Sequence, residues 1–298
     1  LFINGDMSIA QRGTTSSSEG INTVDRWRLN TGTQQEQKTD TPDARFSNSF
    51  EATGTVSGSS GYAVVYQRIE SKNVLPACGQ TCTLSMYVKN TGTSTVDVTV
   101  EVYRANSTDD FSGLTLVSAL GNQAITTSWN RITFPSFTVP DAAATGLEVR
   151  IFRYDASNDQ EWLMTGCQLE VGSSASDFEF LPVDVNLFRC QRYYFKTQDG
   201  VGTGNAILMT GGIESSTSSG QGSLTLPTEM RTTPTLSFGS GVRFYSYGSS
   251  TVTPTIAGNR STSSNLSAVV TISGGTNGQA GYCYQGATSG NIIGDAEL

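Results

Sequence analysis

The chain has no histidine among its 298 residues. That excludes a Ser-His-Asp triad, a Cys-His dyad and a His-ligated zinc. General acid-base work near neutral pH would fall to carboxylates, Lys, Tyr or Cys. Charge is also scarce, at 15%, and skewed: 18 Lys and Arg stand against 26 Asp and Glu, for a net charge of −8. No basic stripe is available to displace counterions, so nucleic acid is not an expected partner. An anionic membrane surface is disfavoured for the same reason. No run of 18 apolar residues occurs, so membrane insertion is not expected. The opening residues, Leu1 to Asp6, have neither the basic nor the apolar region of a signal peptide, and the absence of an initiator Met leaves room for residues before Leu1.

Cysteine is sparse and scattered. Of Cys78, Cys82, Cys167, Cys190 and Cys283, only the first two are close, in CGQTC. A zinc site would need two such pairs. A Cys78–Cys82 disulfide and two free thiols are both open readings, and Cys167 and Cys190 read as small buried hydrophobes. The Gly-rich stretches VGTGNA and SGGTNGQAG have no P-loop Lys and read as turns.

What the chain does have is alternation. Leu84, Met86 and Val88 alternate with Ser85, Tyr87 and Lys89. After NTGTST, Val96, Val98, Val100 and Val102 alternate with Asp97, Thr99, Glu101 and Tyr103. Period two with polar partners predicts half-buried antiparallel strands, and the turn between them predicts a hairpin. Further strands are expected at 62–70, 129–139 and around Leu147, Val149 and Ile151, with Glu148 and Arg150 facing away. In the next strand Leu163, Thr165, Cys167, Leu169 and Val171 are expected on one face. No segment shows a helical period beyond a turn or two. The pattern restarts after Pro182 with FRCQRYYF, then short strands at 206–209, 223–226, 235–238, 242–247 and 266–272, separated by Gly/Ser-rich stretches such as SSTSSGQG. The prediction is an all-β protein: an N-terminal jelly-roll β-sandwich over 1–184, then a second, smaller β-sandwich over 185–298 that serves oligomerisation.

LFINGDM, TLSMYVKN, SWNRITFPSFTVP and WLMTGCQLEVGSSASDFEFLP, in that order, resemble carbohydrate-binding-module-like jelly rolls. Their continuation through FRCQRYYF, LPTEMRTTPTLSF and GDAEL resembles bacteriophage tail-fibre-like and minor virion structural proteins. The resemblance spans essentially the whole chain. It implies a non-enzymatic homotrimer on the virion surface: a tail fibre, head fibre or capsid decoration that contacts other virion proteins and host surface glycans. A dedicated host-receptor-binding lectin is the alternative, and a carboxylate-based polysaccharide depolymerase the remote one. The resemblance implies no cofactor beyond a structural Ca²⁺. Here Thr165-Gly166-Cys167 and Ser8 stand where acidic residues are common, which leaves Asp6 as the weak metal candidate and makes Ca²⁺ the less favoured reading.

Stacking on a sugar needs an accessible aromatic face. Tyr87 and Tyr103, on the polar phases of their strands, are the expected platform, with Trp27 also a candidate. Trp129 and Trp162 are expected in the core. Asp177 and Glu179 are expected to face solvent from a closing strand, with Phe178 and Phe180 inward; that arrangement offers a glycosidase little. FRCQRYYF reads as a core strand of the second domain. Its Phe188, Tyr193 and Tyr194 are the candidate oligomer interface.

Overall fold

The computed structural model describes residues 1–54, 62–92, 95–154, 161–197, 206–213, 218–246, 251–273, 278–287 and 289–298. Residues 93–94, 201–205 and 274–277 of three expected turns, and Tyr247 of an expected strand, lie outside that set. The chain divides into two units, Leu1–Leu187 with Leu298, and Phe188–Glu297.

The first unit contains β1 (Thr15–Ser16), β2 (Arg28–Thr31), β3 (Gln34–Lys38), β4 (Ser49–Thr53), β5 (Tyr62–Ile69), a short α1 (Ser71–Val74), β6 (Thr81–Asn90), β7 (Val96–Ser107), β8 (Asp110–Ile125), β9 (Asn130–Thr133), β10 (Phe137–Thr138), β11 (Leu147–Tyr154) and β12 (Glu161–Val171). Among the described residues these form two antiparallel sheets. One has seven strands, in the order β1-β3-β4-β12-β6-β10 with β9 also on β6. The other has five, in the order β2-β5-β11-β7-β8. The alternating apolar residues of both sheets meet in one core. Leu84, Met86, Val88, Trp162 and Met164 come from the first sheet, and Val98, Val100, Val102, Val149 and Ile151 from the second. This is a β-sandwich.

The two strands expected to form a hairpin do not pair. β6 lies in the seven-stranded sheet and β7 in the five-stranded one. Both alternate because each buries one face in the same core from opposite sides, and alternation carries no information about which sheet a strand joins. In β12 the expected face is also broken. The register shifts between Thr165 and Gln168, so Trp162, Met164, Cys167 and Leu169 enter the core. Leu163 and Thr165 turn to the other side. This is a β-bulge. Gly166 makes it with φ of +59°, and a Cβ there would lie 2.9 Å from Tyr87 and 3.0 Å from Phe46. The bulge is tied to the opening loop, since Cys167 N donates to Gly5 O at 2.9 Å.

Residues 172–182 are not a closing strand but an irregular segment. Phe178 is half-buried and Phe180 is 39% exposed, so neither reaches the core. FRCQRYYF is a strand only at its end, where Tyr194 and Phe195 enter β13 (Tyr194–Lys196). It begins inside a helix, α2 (Val183–Gln191), the longest among the described residues. Asn186, Cys190 and Gln191 are its buried residues. Two of the three are polar and the third is small, so the apolar pattern shows no helical period. The Pro182 carbonyl accepts the Asn186 N–H at 3.0 Å and starts the helix.

In the second unit, β13 (Tyr194–Lys196), β14 (Ile207–Ile213), β15 (Ser219–Thr225), β16 (Thr235–Phe238), β17 (Val242–Ser246), β18 (Thr255–Asn259), β19 (Asn265–Thr271), β20 (Ala280–Gln285) and β21 (Ile292–Asp295) form two more antiparallel sheets. Among the described residues their orders are β13-β21-β16 and β17-β20-β14-β15-β19-β18. Phe244, Leu266, Val270, Cys283 and Ile292 lie in its core. Part of SSTSSGQG, expected as a separator, is the start of β15 inside the six-stranded sheet. A Cβ at Gly220 would meet the Phe244 ring at 2.9 Å, so glycine there lets the ring close over the strand.

Candidate functional site

The outer face of the seven-stranded sheet carries Tyr87, and it is covered. Phe46 packs edge-on against Tyr87 with centroids 5.3 Å apart. Phe180 and Phe178 lie 4.8 and 5.5 Å from Phe46. Arg131 sits 6.0 Å from the Tyr87 ring centre. Two segments make this cover. Residues 172–182 are pinned by Glu170, which accepts from Ser176 N at 2.9 Å and Ser176 Oγ at 2.6 Å, and by Gln168 Oε1, which accepts from Glu179 N at 2.8 Å. Partial burial works against ionisation of Glu170, but these hydrogen bonds outweigh it and hold its pKa below the ordinary range. The stretch around Phe46 is held by Asp40, which accepts from Lys89 Nζ at 2.5 Å and Trp129 Nε1 at 2.8 Å. Ser49, Thr83, Ser85 and Thr165 are buried beneath. Trp129 is half-buried beside β9, outside the expected core ring, whereas Trp162 is in the core.

The outer face of the five-stranded sheet is built differently. Register puts Arg28, Tyr66, Arg150 and Glu101 in one row across β2, β5, β11 and β7. Arg68, Glu148 and Tyr103 form the next row. Paired residues stand about 5 Å apart and the rows about 7 Å. Glu148 is fully buried at the centre. Its two oxygens accept from Arg68 Nε at 2.7 Å and Arg150 Nε at 2.6 Å. Arg150 stacks on Tyr103, 4.6 Å from the ring centre, and Tyr103 Oη donates to Glu101 at 2.5 Å. That hydrogen bond, with some burial, raises the Tyr103 pKa. Arg68 and Arg28 lie 5.3 and 5.9 Å from the Tyr66 ring centre. Arg68 Nη1 also donates to Leu298 O at 2.7 Å. The result is a fixed lattice of donors, acceptors and aromatic edges on one sheet surface.

Tyr87 and Tyr103 therefore lie on opposite faces of the sandwich and cannot form one platform. Trp27 cannot stack on a ligand, because it is fully buried and its Nε1 donates to Asn4 O at 2.9 Å. Asp6 is occupied by neutral partners, Ser8 Oγ at 3.1 Å and Asn186 Nδ2 at 2.9 Å, in the loop that α2 braces. Cys78 and Cys82 are free thiols. Tyr193 and Tyr194 are 0% and 6% exposed, so their side chains are already buried and unavailable to a partner subunit; Phe188, at 46%, is accessible. Arg28, Tyr66, Arg68 and Glu148 were not picked out from the sequence as a site. The signal present there was the outward phase of Glu148 and Arg150; the register that gathers the others was not visible.

No family model and no curated protein matches the sequence. Among solved structures, the chain is similar to the CBM22-1 xylan-binding domain from Paenibacillus barcinonensis (14% identity, 54% of this chain and 94% of that one, TM-score 0.37). It is similar to a putative sugar binding protein from Bacteroides thetaiotaomicron (13% identity, 58% and 99%, TM-score 0.39). It is also similar to the enzymatically active domain of tailspike protein 4 of bacteriophage CBA120 (20% identity, 49% and 19%, TM-score 0.36).

Proposed function

We propose that this chain is a glycan-binding β-sandwich protein that binds saccharide on the outer face of its five-stranded sheet. The observation that carries the reading is the pair of rows Arg28–Tyr66–Arg150–Glu101 and Arg68–Glu148–Tyr103. Guanidinium groups and a carboxylate, fixed in place, suit the hydroxyls of a sugar, and half-buried Tyr103 offers an aromatic edge beside them. Glu148 positions the two arginines. Binding rather than hydrolysis is the expected activity. Asp177 and Glu179 are both exposed, whereas a glycosidase acid works from a secluded environment.

The finer reading is a homotrimeric bacteriophage virion protein at the particle surface, a fibre or decoration subunit. Its support is the ordered motif series of the sequence and the second β unit. A host-recognition lectin is the same binding chemistry with a narrower task. A glycan array tests the binding reading: the wild type should bind a defined set of glycans, and Tyr103→Ala should lose that signal while Tyr87→Ala keeps it. A wild type that binds nothing, or a Tyr103→Ala protein that binds as the wild type does, overturns it. Light-scattering mass tests the trimer, and gold-labelled antibody on particles tests the location.

A further inference from the structure

We infer that the saccharide bound by this face carries a carboxylate, as a uronic or sialic acid residue does, and that Arg28 with the Tyr66 hydroxyl receives it. The inference rests on the glycan reading above and narrows its ligand class.

The argument is a local count of charge. Three guanidiniums, Arg28, Arg68 and Arg150, surround Tyr66, opposite it on β2, two residues along on β5 and opposite it on β11. The two rows themselves hold two carboxylates, Glu101 and Glu148, and both are engaged. Glu148 is fully buried between Arg68 and Arg150. Glu101 accepts the Tyr103 hydroxyl. Arg28 is left without a carboxylate or hydrogen-bond partner among the described residues; it makes only the contact over Tyr66. Its Nε is shielded from water with no acceptor. A buried donor without an acceptor is costly, and one on a guanidinium more so. The Tyr66 hydroxyl has no protein hydrogen-bond partner among the described residues, and the residue as a whole is 5% exposed. A chain with a net charge of −8 thus keeps an unpaired guanidinium beside a phenol hydroxyl at one spot on its candidate site. A ligand carboxylate matches this spot: the guanidinium offers it the Nη donors and the charge, and the phenol can add a further hydrogen bond. A neutral sugar hydroxyl meets the geometry but leaves the charge unmatched.

The test uses the whole protein and matched ligands. Oligogalacturonate and the same oligomers after carboxyl reduction differ only in the charged group; oligosialic acid and its reduced form make a second pair. By calorimetry, the acid form should bind about tenfold or more tighter than its reduced partner, and that preference should fall as salt rises. Arg28→Gln should erase the preference, so that acid and reduced forms bind alike; Tyr66→Phe, which keeps the ring, should reduce the preference several-fold and guards against a folding defect in the first variant. Equal binding of acid and reduced forms by the wild type overturns the inference while the glycan reading stands. If neither form binds and a wider neutral glycan array is also blank, both fail. A preference that survives Arg28→Gln in a folded protein removes Arg28 from the site.

Discussion

Tyr87 and Tyr103 occupy equivalent phases on two strands of the same sandwich, and their surroundings are opposite. Around Tyr87 the sheet is roofed by two chain segments that bring in Phe46, Phe178 and Phe180. Around Tyr103 the sheet is covered by arginine side chains laid along it and clamped by a buried Glu148. A polar sheet face can be finished in either way. A roof of chain makes a second small core and closes the surface. A lattice of long charged side chains stabilises the face and still leaves hydrogen-bonding groups at the solvent boundary. The first serves folding, and the second can also serve recognition.

The sharpest way to break that contrast is Phe46→Ala. Phe46 is 5% exposed and touches all three other rings of the roof. Its loss should cost roughly 3–5 kcal/mol, read as a lowered urea midpoint, because the cavity opens where little can collapse into it. Saccharide binding should be unchanged. A folded Phe46→Ala protein that no longer binds would place the site on the wrong face. On the other side, Glu148→Gln keeps the shape and removes the charge between two arginines. The arginine side chains are 22% and 31% exposed, so water takes up part of the loss. We expect about 1–2 kcal/mol of destabilisation, below the cost of breaking a wholly buried pair. Binding should weaken as well, because Arg68 and Arg150 lose the group that orients them.

Why the sequence shows one half of this contrast and hides the other follows from what alternation encodes. The inward residues of β6, β7 and β11 were legible because each strand repeats its apolar side every second position. The phases of Tyr87 and Tyr103 were legible for the same reason. What period two cannot encode is which strand lies beside which. β5 pairs with β2 and β11, far apart in the chain, and only that register sets Arg28, Tyr66 and Arg150 in a row. The bulge at Gly166 was hidden because one inserted residue reverses the parity of everything before it. α2 was hidden because its buried residues are Asn186, Cys190 and Gln191, and Asn186 is there to bond the opening loop rather than to fill a core.

A smaller effect sharpens the comparison at single residues. Tyr103→Ala should weaken saccharide binding about tenfold and change stability by less than ~1 kcal/mol, since the ring is half-exposed and its partners remain solvated. Tyr87→Ala should do the reverse, with binding intact and stability lowered by about 1–3 kcal/mol through lost packing against Phe46. Paired titrations of the two variants, one by calorimetry and one by denaturant, read both axes. Similar behaviour of the two would mean that the roof and the lattice are not functionally distinct.

The smallest effect separates the faces by pH. On the roofed side, Asp40 is partly buried, which opposes its ionisation, but bonds from Lys89 and Trp129 prevail and its pKa is lowered. A lowered carboxylate contributes stability above its unfolded pKa, about 3.9, and loses it as pH falls through the folded value. Asp40→Asn should therefore be less stable than the wild type near neutral pH, by under about 1 kcal/mol for so exposed a pair, and the gap should close in acid. On the lattice side, Tyr103 has a raised pKa, first through its bond to Glu101. That contribution is complete below the unfolded pKa, about 10, and is lost as pH rises through the folded value. Tyr103→Phe should accordingly differ from the wild type at neutral pH and converge with it in alkali. Urea midpoints of the three proteins across pH give two gaps that close at opposite ends of the scale. A gap that stays constant with pH in either pair would remove that hydrogen bond from the account of its face.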